Sequence, residues 1–254
     1  MRHIPRFYCP HILLGKEFST PFVLTVPQHH HLLAVLRRRV GDELFFFNPI
    51  IGEYRAKIIA VEKKMARLKT LCQEKKPCPA TTPTRYLFMA LLETSRLDIL
   101  IPKAVELGVD TITPIITDFT DRKKTAWQKT KWQRVAISAS EQSGRLTTPI
   151  LADAIALTEL NIFTKAPYHL PIIYGDETGG AGFYPTLTHI LKKKTHQAQP
   201  IGILVGPTGG FSHQERNWLN KQDNFYRTTL GKRILRSETA AIAMLAGVLF
   251  YENL

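Results

Sequence analysis

After residue 85 the chain alternates short, mostly apolar runs with longer stretches whose apolar positions recur every three or four residues. Tyr86 to Leu92, Ile112 to Ile116, Ile172-Ile173-Tyr174, Ile201 to Val205 and Phe225 to Leu230 are the runs. Runs of this length, bounded by glycine or polar turn residues, predict buried strands. The stretches between them predict helices. One opens at Ser95-Arg96-Leu97-Asp98, which has capping-box spacing, and stops at Gly108. A second runs from about Ala126 to Gly144, and a third from Thr186 to Lys194, whose three terminal lysines suit the negative end of a helix dipole. Ser212-His213-Gln214-Glu215 is a full capping box opening a fourth, and Ser237 to Tyr251 forms the last. This alternation predicts an α/β domain with a mainly parallel sheet covered on both faces.

The first 72 residues follow a different rhythm. Phe22-Val23-Leu24, Glu43 to Phe47 and Tyr54 to Val61 are rich in β-branched and aromatic residues, and Gly41-Asp42 and Asn48-Pro49 mark turns between them. One helix, from about His29 to Arg38, interrupts the strands. Together these elements predict a small β-barrel over residues 1–74. The proline-rich stretch from Lys75 to Pro83 suits neither element and predicts a linker over 75–84, with the α/β domain over 85–254.

The final helix is apolar nearly all round, from Ala240 to Phe250. Such a helix is buried on every side, either deep in its own domain or against a second subunit.

Charge narrows the partners. The 254 residues carry a net +13, with a pI near 9.8, which favours a polyanion. Residues 1–80 hold 14 Lys/Arg against 6 Asp/Glu, while the longer remainder holds 20 against 15, so the smaller part reads as a basic docking module. The three cysteines, Cys9, Cys72 and Cys78, have neither disulfide-framework nor zinc-site spacing, which fits a reducing cytoplasm. No apolar run reaches the roughly 18 residues of a membrane span, and the N-terminus lacks a signal-peptide core, so nucleic acid becomes the leading polyanion.

Ligands of parallel sheets bind beyond the C-terminal strand ends. Three loops predicted there are glycine-rich: Tyr174 to Gly180, Gly206 to Gly210 and Leu230 to Arg236. None fits a dinucleotide or P-loop fingerprint, which argues against NAD or ATP sites of the common kinds. Arg233 and Arg236 flank Ile234-Leu235; in a strand-like stretch one would face the pocket and the other would pack or pair with Glu238. An arginine stays protonated, so it can stabilise a developing anion or grip a phosphate. Glu141-Gln142-Ser143-Gly144-Arg145 ends a helix with polar groups, which are either simply solvated or present Arg145 to an RNA phosphate. His29-His30-His31 reads poorly as a metal cluster, because adjacent helical residues do not share a face. His30 or His31 beside Leu36-Arg37-Arg38-Arg39 reads better as a nucleic-acid face.

These segments together resemble the RsmE family, the bacterial uridine-N3 methyltransferases of small-subunit ribosomal RNA in the SPOUT class. The resemblance is carried by His31-Leu32 with Val35-Leu36-Arg37 and Gly41-Asp42, by Gly52-Glu53-Tyr54, and by Lys103-Ala104-Val105-Glu106-Leu107-Gly108-Val109. Glu141 to Arg145, Gly206 to Ser212 with Glu215, and Leu230-Gly231 with Ile234-Leu235-Arg236 and Glu238-Thr239-Ala240 complete it. One position departs: Thr208 stands where the family usually has glutamate.

The resemblance implies a PUA-like RNA-docking barrel followed by a SPOUT domain threaded as a trefoil knot. It implies a homodimer that binds S-adenosylmethionine and methylates 16S ribosomal RNA of the small subunit in the cytoplasm. The cofactor residues it implies are Ile173, Tyr174, Gly175, Val205, Gly206, Pro207, Gly209, Gly210, Leu230, Gly231, Ile234, Leu235, Arg236, Thr239 and Ala240. Arg236, with Arg145 from the other subunit, is the expected stabiliser of the uracil anion, and His31, Arg37, Arg38 and Arg39 the expected RNA contacts. Three alternatives stay open: methylation of another RNA base or a ribose 2′-hydroxyl, an RNA-binding relative without catalysis, and a nucleotide-binding enzyme that uses the glycine loops for phosphates.

Overall fold

The computed structural model describes residues 4–12, 22–62, 65–77, 85–120, 127–191 and 200–252. By contact the chain divides into two units. One runs to Ala80 and includes Ser140–Thr147; the other comprises Thr81–Ala139 and the chain from Thr148 onward.

The first unit holds β1 (Arg6–Tyr8), β2 (Phe22–Val23), α1 (Val26–His30), β3 (Glu43–Asn48), β4 (Gly52–Glu62) and β5 (Met65–Lys75). Its described strands form one sheet in the order β1-β3-β4-β5-β2, parallel only between β1 and β3. Alternation buries Leu44 and Phe46 of β3, Ala56 and Ile58 of β4, and Ala66 and Leu68 of β5 in one core with Phe7 and Leu32. The predicted Asn48-Pro49 turn has a clear cause. The Asn48 carbonyl accepts from the Ile50 and Ile51 amides at 3.0 Å, and its amide donates to the Cys9 and Ile12 oxygens at 2.8 Å. Gly52 closes the turn at φ +84°, and any Cβ there would lie 2.1 Å from the Lys75 oxygen.

The helix expected from His29 to Arg38 is shifted. It starts at Val26, where the Gln28 side chain accepts from the Thr25 amide at 3.1 Å, and continues as a π-helical turn over His31–Val35. Arg37 has φ +52°, so the three arginines lie on a loop and not on the helix.

The second unit alternates β6 (Arg85–Ala90), α2 (Thr94–Glu106), β7 (Thr111–Ile116), α3 (Lys129–Ser143), β8 (Ile150–Leu151), β9 (Ile155–Ala156), α4 (Asn161–Thr164), β10 (Ile172–Gly175), β11 (Ala181–Gly182), α5 (Phe183–Leu191), β12 (Ile201–Val205), α6 (His213–Lys221), β13 (Phe225–Thr229) and α7 (Ser237–Glu252). The last turn of α3 groups with the first unit. The described strands form a parallel sheet in the order β11-β13-β10-β12-β6-β7-β8, with β9 beside β7. The expected parallel α/β arrangement is therefore present. The expected helix start at Ala126, the three lysines after Leu191 and most of the expected 75–84 linker lie outside the described residues.

Both sheet faces are covered. Leu87, Met89, Ile201, Ile203 and Ile173 pack against α2, α3, α5 and α7. Their strand neighbours Phe88, Leu204, Ile172 and Tyr174 pack on the other side with Phe211, Leu219 and Leu160. The Ser95 capping box is a correction: the N-cap lies two residues earlier, at Glu93 with ψ +149°, and α2 begins at Thr94. Gly108, at φ +87°, stops α2 as expected. No helix among the described residues is long and apolar enough to cross a membrane.

Candidate active site

Strands β12, β10 and β13 are neighbours in the sheet, so the loops at their C-terminal ends meet. They enclose a cavity of about 360 Å³, lined by Gly175 to Glu177, Val205 to Phe211, Thr229 to Ser237, and Ala240. That volume suits a nucleoside-sized ligand.

Two glycines leave the main chain bare at the wall. A Cβ on Gly206 would lie 3.1 Å from the Phe211 ring, and Phe211 is only 1% exposed. Gly210 has φ +70°, and its Cβ would lie 2.5 Å from Oε1 of Glu177. The carboxylate of Glu177 therefore sits against the Gly206–Gly210 loop, in which Thr208 supplies only a hydroxyl. Val205, Pro207, Leu230, Leu235 and Ala240 add apolar wall, and Lys232, Arg233 and Arg236 are exposed cations. Such walls fit an adenosine-like ligand. Bare backbone and aliphatic side chains accept a flat heterocycle.

Charges below the pocket hold its loops. Asp176 is 4% exposed, its carboxylate lying 2.9 Å from Nε of Arg227 and 3.4 Å from Nε of Arg216. Burial pushes its pKa up, but hydrogen bonds from the Thr178 amide and hydroxyl and the two guanidinium groups outweigh burial and leave it lowered. Arg216 also pairs with Glu177. Burial raises the Tyr174 phenol to about 12, and its hydroxyl donates to Asn220 at 2.6 Å. The Ser212 box is complete: the Glu215 amide donates to Oγ of Ser212 at 3.2 Å and the Ser212 amide to Oε2 of Glu215 at 2.8 Å.

The cavity brings together Gly175, Val205, Gly206, Pro207, Gly209, Gly210, Leu230, Gly231, Ile234, Leu235, Arg236 and Ala240. Ile173 and Tyr174 are not on its wall; their side chains are buried on opposite faces of β10. Thr239 is exposed on α7 and also off the wall. The predicted division between Arg233 and Arg236 does not hold. Residues 230–236 are irregular, both arginines line the cavity, and Glu238 pairs with Arg96 at 3.4 Å. Arg216 and Arg227 escaped sequence reading. The signal for Arg227 was a charge in the middle of a predicted strand.

The remaining predicted residues belong to the first unit. Glu141 accepts from the Tyr8 amide at 2.9 Å. Burial raises its pKa, opposed by that hydrogen bond and by Arg6. Arg145 donates to the Thr147 hydroxyl at 3.2 Å, while its main-chain oxygen accepts from Arg6. His31, Arg37 and Arg39 are exposed, and Arg38 is half-buried. His29 points inward instead, its Nδ1 accepting from the Ala66 amide at 2.9 Å.

Comparison with known proteins agrees with this architecture. Residues 80–249 match a family described as RNA methyltransferase domain, and residues 24–71 match RNA methyltransferase PUA domain. Ribosomal RNA small subunit methyltransferase E of Rickettsia conorii is 32% identical over 86% of this chain and 85% of its own. The protein of that name from Buchnera aphidicola is 27% identical over 97% and 93%. The crystal structure of the Neisseria gonorrhoeae methyltransferase E, bound to S-adenosyl methionine, superposes with a TM-score of 0.79 at 29% identity and covers 98% of both chains. A putative Legionella pneumophila methyltransferase in complex with the same cofactor gives 0.79 at 27% identity, again over 98% of both. With a parallel sheet, a glycine-walled cavity at its strand ends and a PUA-type sheet in front, the chain belongs to the ribosomal RNA small subunit methyltransferase E family.

Proposed function

We propose that this protein methylates N3 of one uridine in 16S ribosomal RNA of the small subunit, using S-adenosylmethionine, as a cytoplasmic homodimer. The observation that carries the reading is the cavity itself, where the bare Gly206–Gly210 loop faces the Leu230–Arg236 loop with Arg236 on the wall. The cofactor bound in the Neisseria gonorrhoeae structure supports the same choice.

When bound, S-adenosylmethionine supplies an electrophilic methyl group. Gly175, Val205 to Pro207, Gly209, Gly210, Leu230, Gly231, Ile234, Leu235 and Ala240 would hold it, while Ile173, Tyr174 and Thr239, off the wall, would only support the loops from β10 and α7. Glu177 provides the loop with the carboxylate that Thr208 lacks. The remaining task falls on cations. Uracil must lose its N3 proton before it can act as a nucleophile, and a guanidinium beside it stabilises the anion. Arg236 takes that role, joined by Arg145 of a second copy. His31 and Arg37 to Arg39 grip RNA phosphates.

The dimer is supported by α7. Its inner face buries Ala241, Met244, Leu245 and Val248. Its outer face is also apolar, with Ala246 half-buried, Ala243 exposed and Phe250 at 70% exposure. An apolar outer stripe of this kind marks an interface. The trefoil-knot threading belongs to the same proposal.

Arg236→Ala tests the catalytic assignment. The variant is expected to bind S-adenosylmethionine and to transfer methyl groups to 16S RNA at least about a hundredfold more slowly, the loss seen when one oxyanion donor is removed. Full activity in the variant overturns the role of Arg236.

A further inference from the structure

We propose that Phe119 is the platform on which the target base stacks, which makes it a specificity-determining residue. The inference rests on the reading of the cavity as an RNA-base methylation site.

Phe119 lies in the turn after β7, at the same sheet edge as the cavity. Its ring lies beside the glycine loop: a Cβ on Gly209 would lie 3.5 Å from its Cδ2. The residue is nevertheless 55% exposed. It is not a wall residue itself, but it stands beside Gly209, which is, on a side open to solvent.

The turn that carries Phe119 is braced. The Thr117 amide donates to the Thr120 hydroxyl at 2.9 Å, and the Thr120 amide donates to the Thr117 oxygen at 3.0 Å. The Asp118 amide donates to Oε1 of Glu215 at 2.9 Å, and the Ser212 hydroxyl donates to Asp118. Ser212 and Glu215 open α6 directly after the glycine loop. One set of hydrogen bonds thus fixes both the cavity wall and the backbone on either side of Phe119. An exposed ring on so rigid a mount is preorganised for a flat ligand.

Among the described residues, the cavity wall itself offers no free aromatic face. Phe211, the one aromatic residue on its wall, is buried edge-on against Tyr174, with ring centroids 6.3 Å apart. A uracil turned out of its stack loses its neighbours, and an aromatic side chain restores one of them at about 1–3 kcal/mol per base.

Steady-state methyl transfer to small-subunit RNA tests this. Phe119→Ala is expected to raise KM for RNA about tenfold or more, with S-adenosylmethionine affinity by calorimetry within about twofold of wild type, and Phe119→Trp to restore KM. The Trp variant adds a second readout. A short uridine-containing RNA is expected to quench its fluorescence beyond the change in wild type, whose tryptophans are Trp127, Trp132 and Trp218. An unchanged KM in Phe119→Ala, or a raised KM explained by loss of the dimer in sedimentation, overturns the proposal. A wild-type protein that binds the cofactor but methylates no uridine defeats the functional reading instead, and the fluorescence arm still decides whether Phe119 meets RNA bases.

Discussion

The Arg6 guanidinium donates to the main-chain oxygen of Arg145 at 3.0 Å, joining two segments 139 residues apart. It also donates to the oxygens of Ser140 and Glu141, at 3.0 and 2.8 Å, in the last turn of α3. Its Nε meets the buried carboxylate of Glu53, and its charge lies 4.3 Å from the centre of the Phe47 ring. Arg6 thus ties the Glu141–Arg145 segment to β1. Arg6→Ala is expected to destabilise the protein by about 3–5 kcal/mol, the usual effect of breaking a buried pair, read from urea unfolding. Arg6→Lys keeps the charge but not the fork of donors, so it should regain only part of that stability and lower kcat with cofactor affinity intact. Wild-type kcat in Arg6→Lys would mean that Arg145 is placed by other contacts.

Gly206 is expected to tolerate no side chain. A methyl group would press on the Phe211 ring, which is locked between the sheet and α6. Gly206→Ala should weaken S-adenosylmethionine binding by about tenfold or more in calorimetry, because the displaced loop narrows the cavity, at a stability cost of about 1–3 kcal/mol. Unchanged affinity would place the cofactor away from this loop.

His29 makes the first unit acid-sensitive. Burial lowers its pKa below the ordinary value of 6.5, although a backbone hydrogen bond at Leu24 works the other way. As pH falls through the unfolded value, the unfolded chain takes up a proton that the folded chain does not, so this contribution is fully present above about pH 6.5 and is lost as pH falls below it. Protonation at Nδ1 would also cost the hydrogen bond from the Ala66 amide. The pH dependence of the unfolding midpoint between about pH 7 and pH 5 should flatten in His29→Gln, which removes the titrating group. Asp176, whose folded pKa is lowered, adds acid lability only below its ordinary 3.8, in a separate window.

The outer stripe of α7 predicts the oligomer. Ala243→Glu with Phe250→Glu places two charges on exposed positions, so folding should survive while dimerisation fails. Sedimentation is expected to show a monomer with at least about tenfold less methyl transfer, since Arg145 would no longer reach across. A monomeric wild type with full activity rules this out.

Some of the molecule was legible in the sequence for local reasons. Ile201 to Val205 is apolar throughout, and Ile112 to Ile116 is so apart from Thr113, because both sheet faces are covered, and Ser212 with Glu215 forms its box within four residues. Other features depend on distance. Glu238 pairs with Arg96, 142 residues away, so nothing near Arg236 could reveal its partner. Beyond Leu68, β5 is almost wholly exposed, and its charged surface hides the strand. Ser140–Thr147 reads as an ordinary helix end, yet its contacts lie with β1, because Arg6 and Tyr8 supply the donors. The glycine motifs were visible as turns, but only the neighbouring of β12, β10 and β13 turns them into one cavity.

The central claim is the site of methyl transfer. Small ribosomal subunits from cells lacking this protein, incubated with it and labelled S-adenosylmethionine, can be digested and mapped by mass spectrometry. The account predicts one labelled nucleotide in 16S RNA, a uridine bearing the methyl group on N3. Label on a ribose 2′-hydroxyl, on another base, or on no nucleotide at all would contradict it.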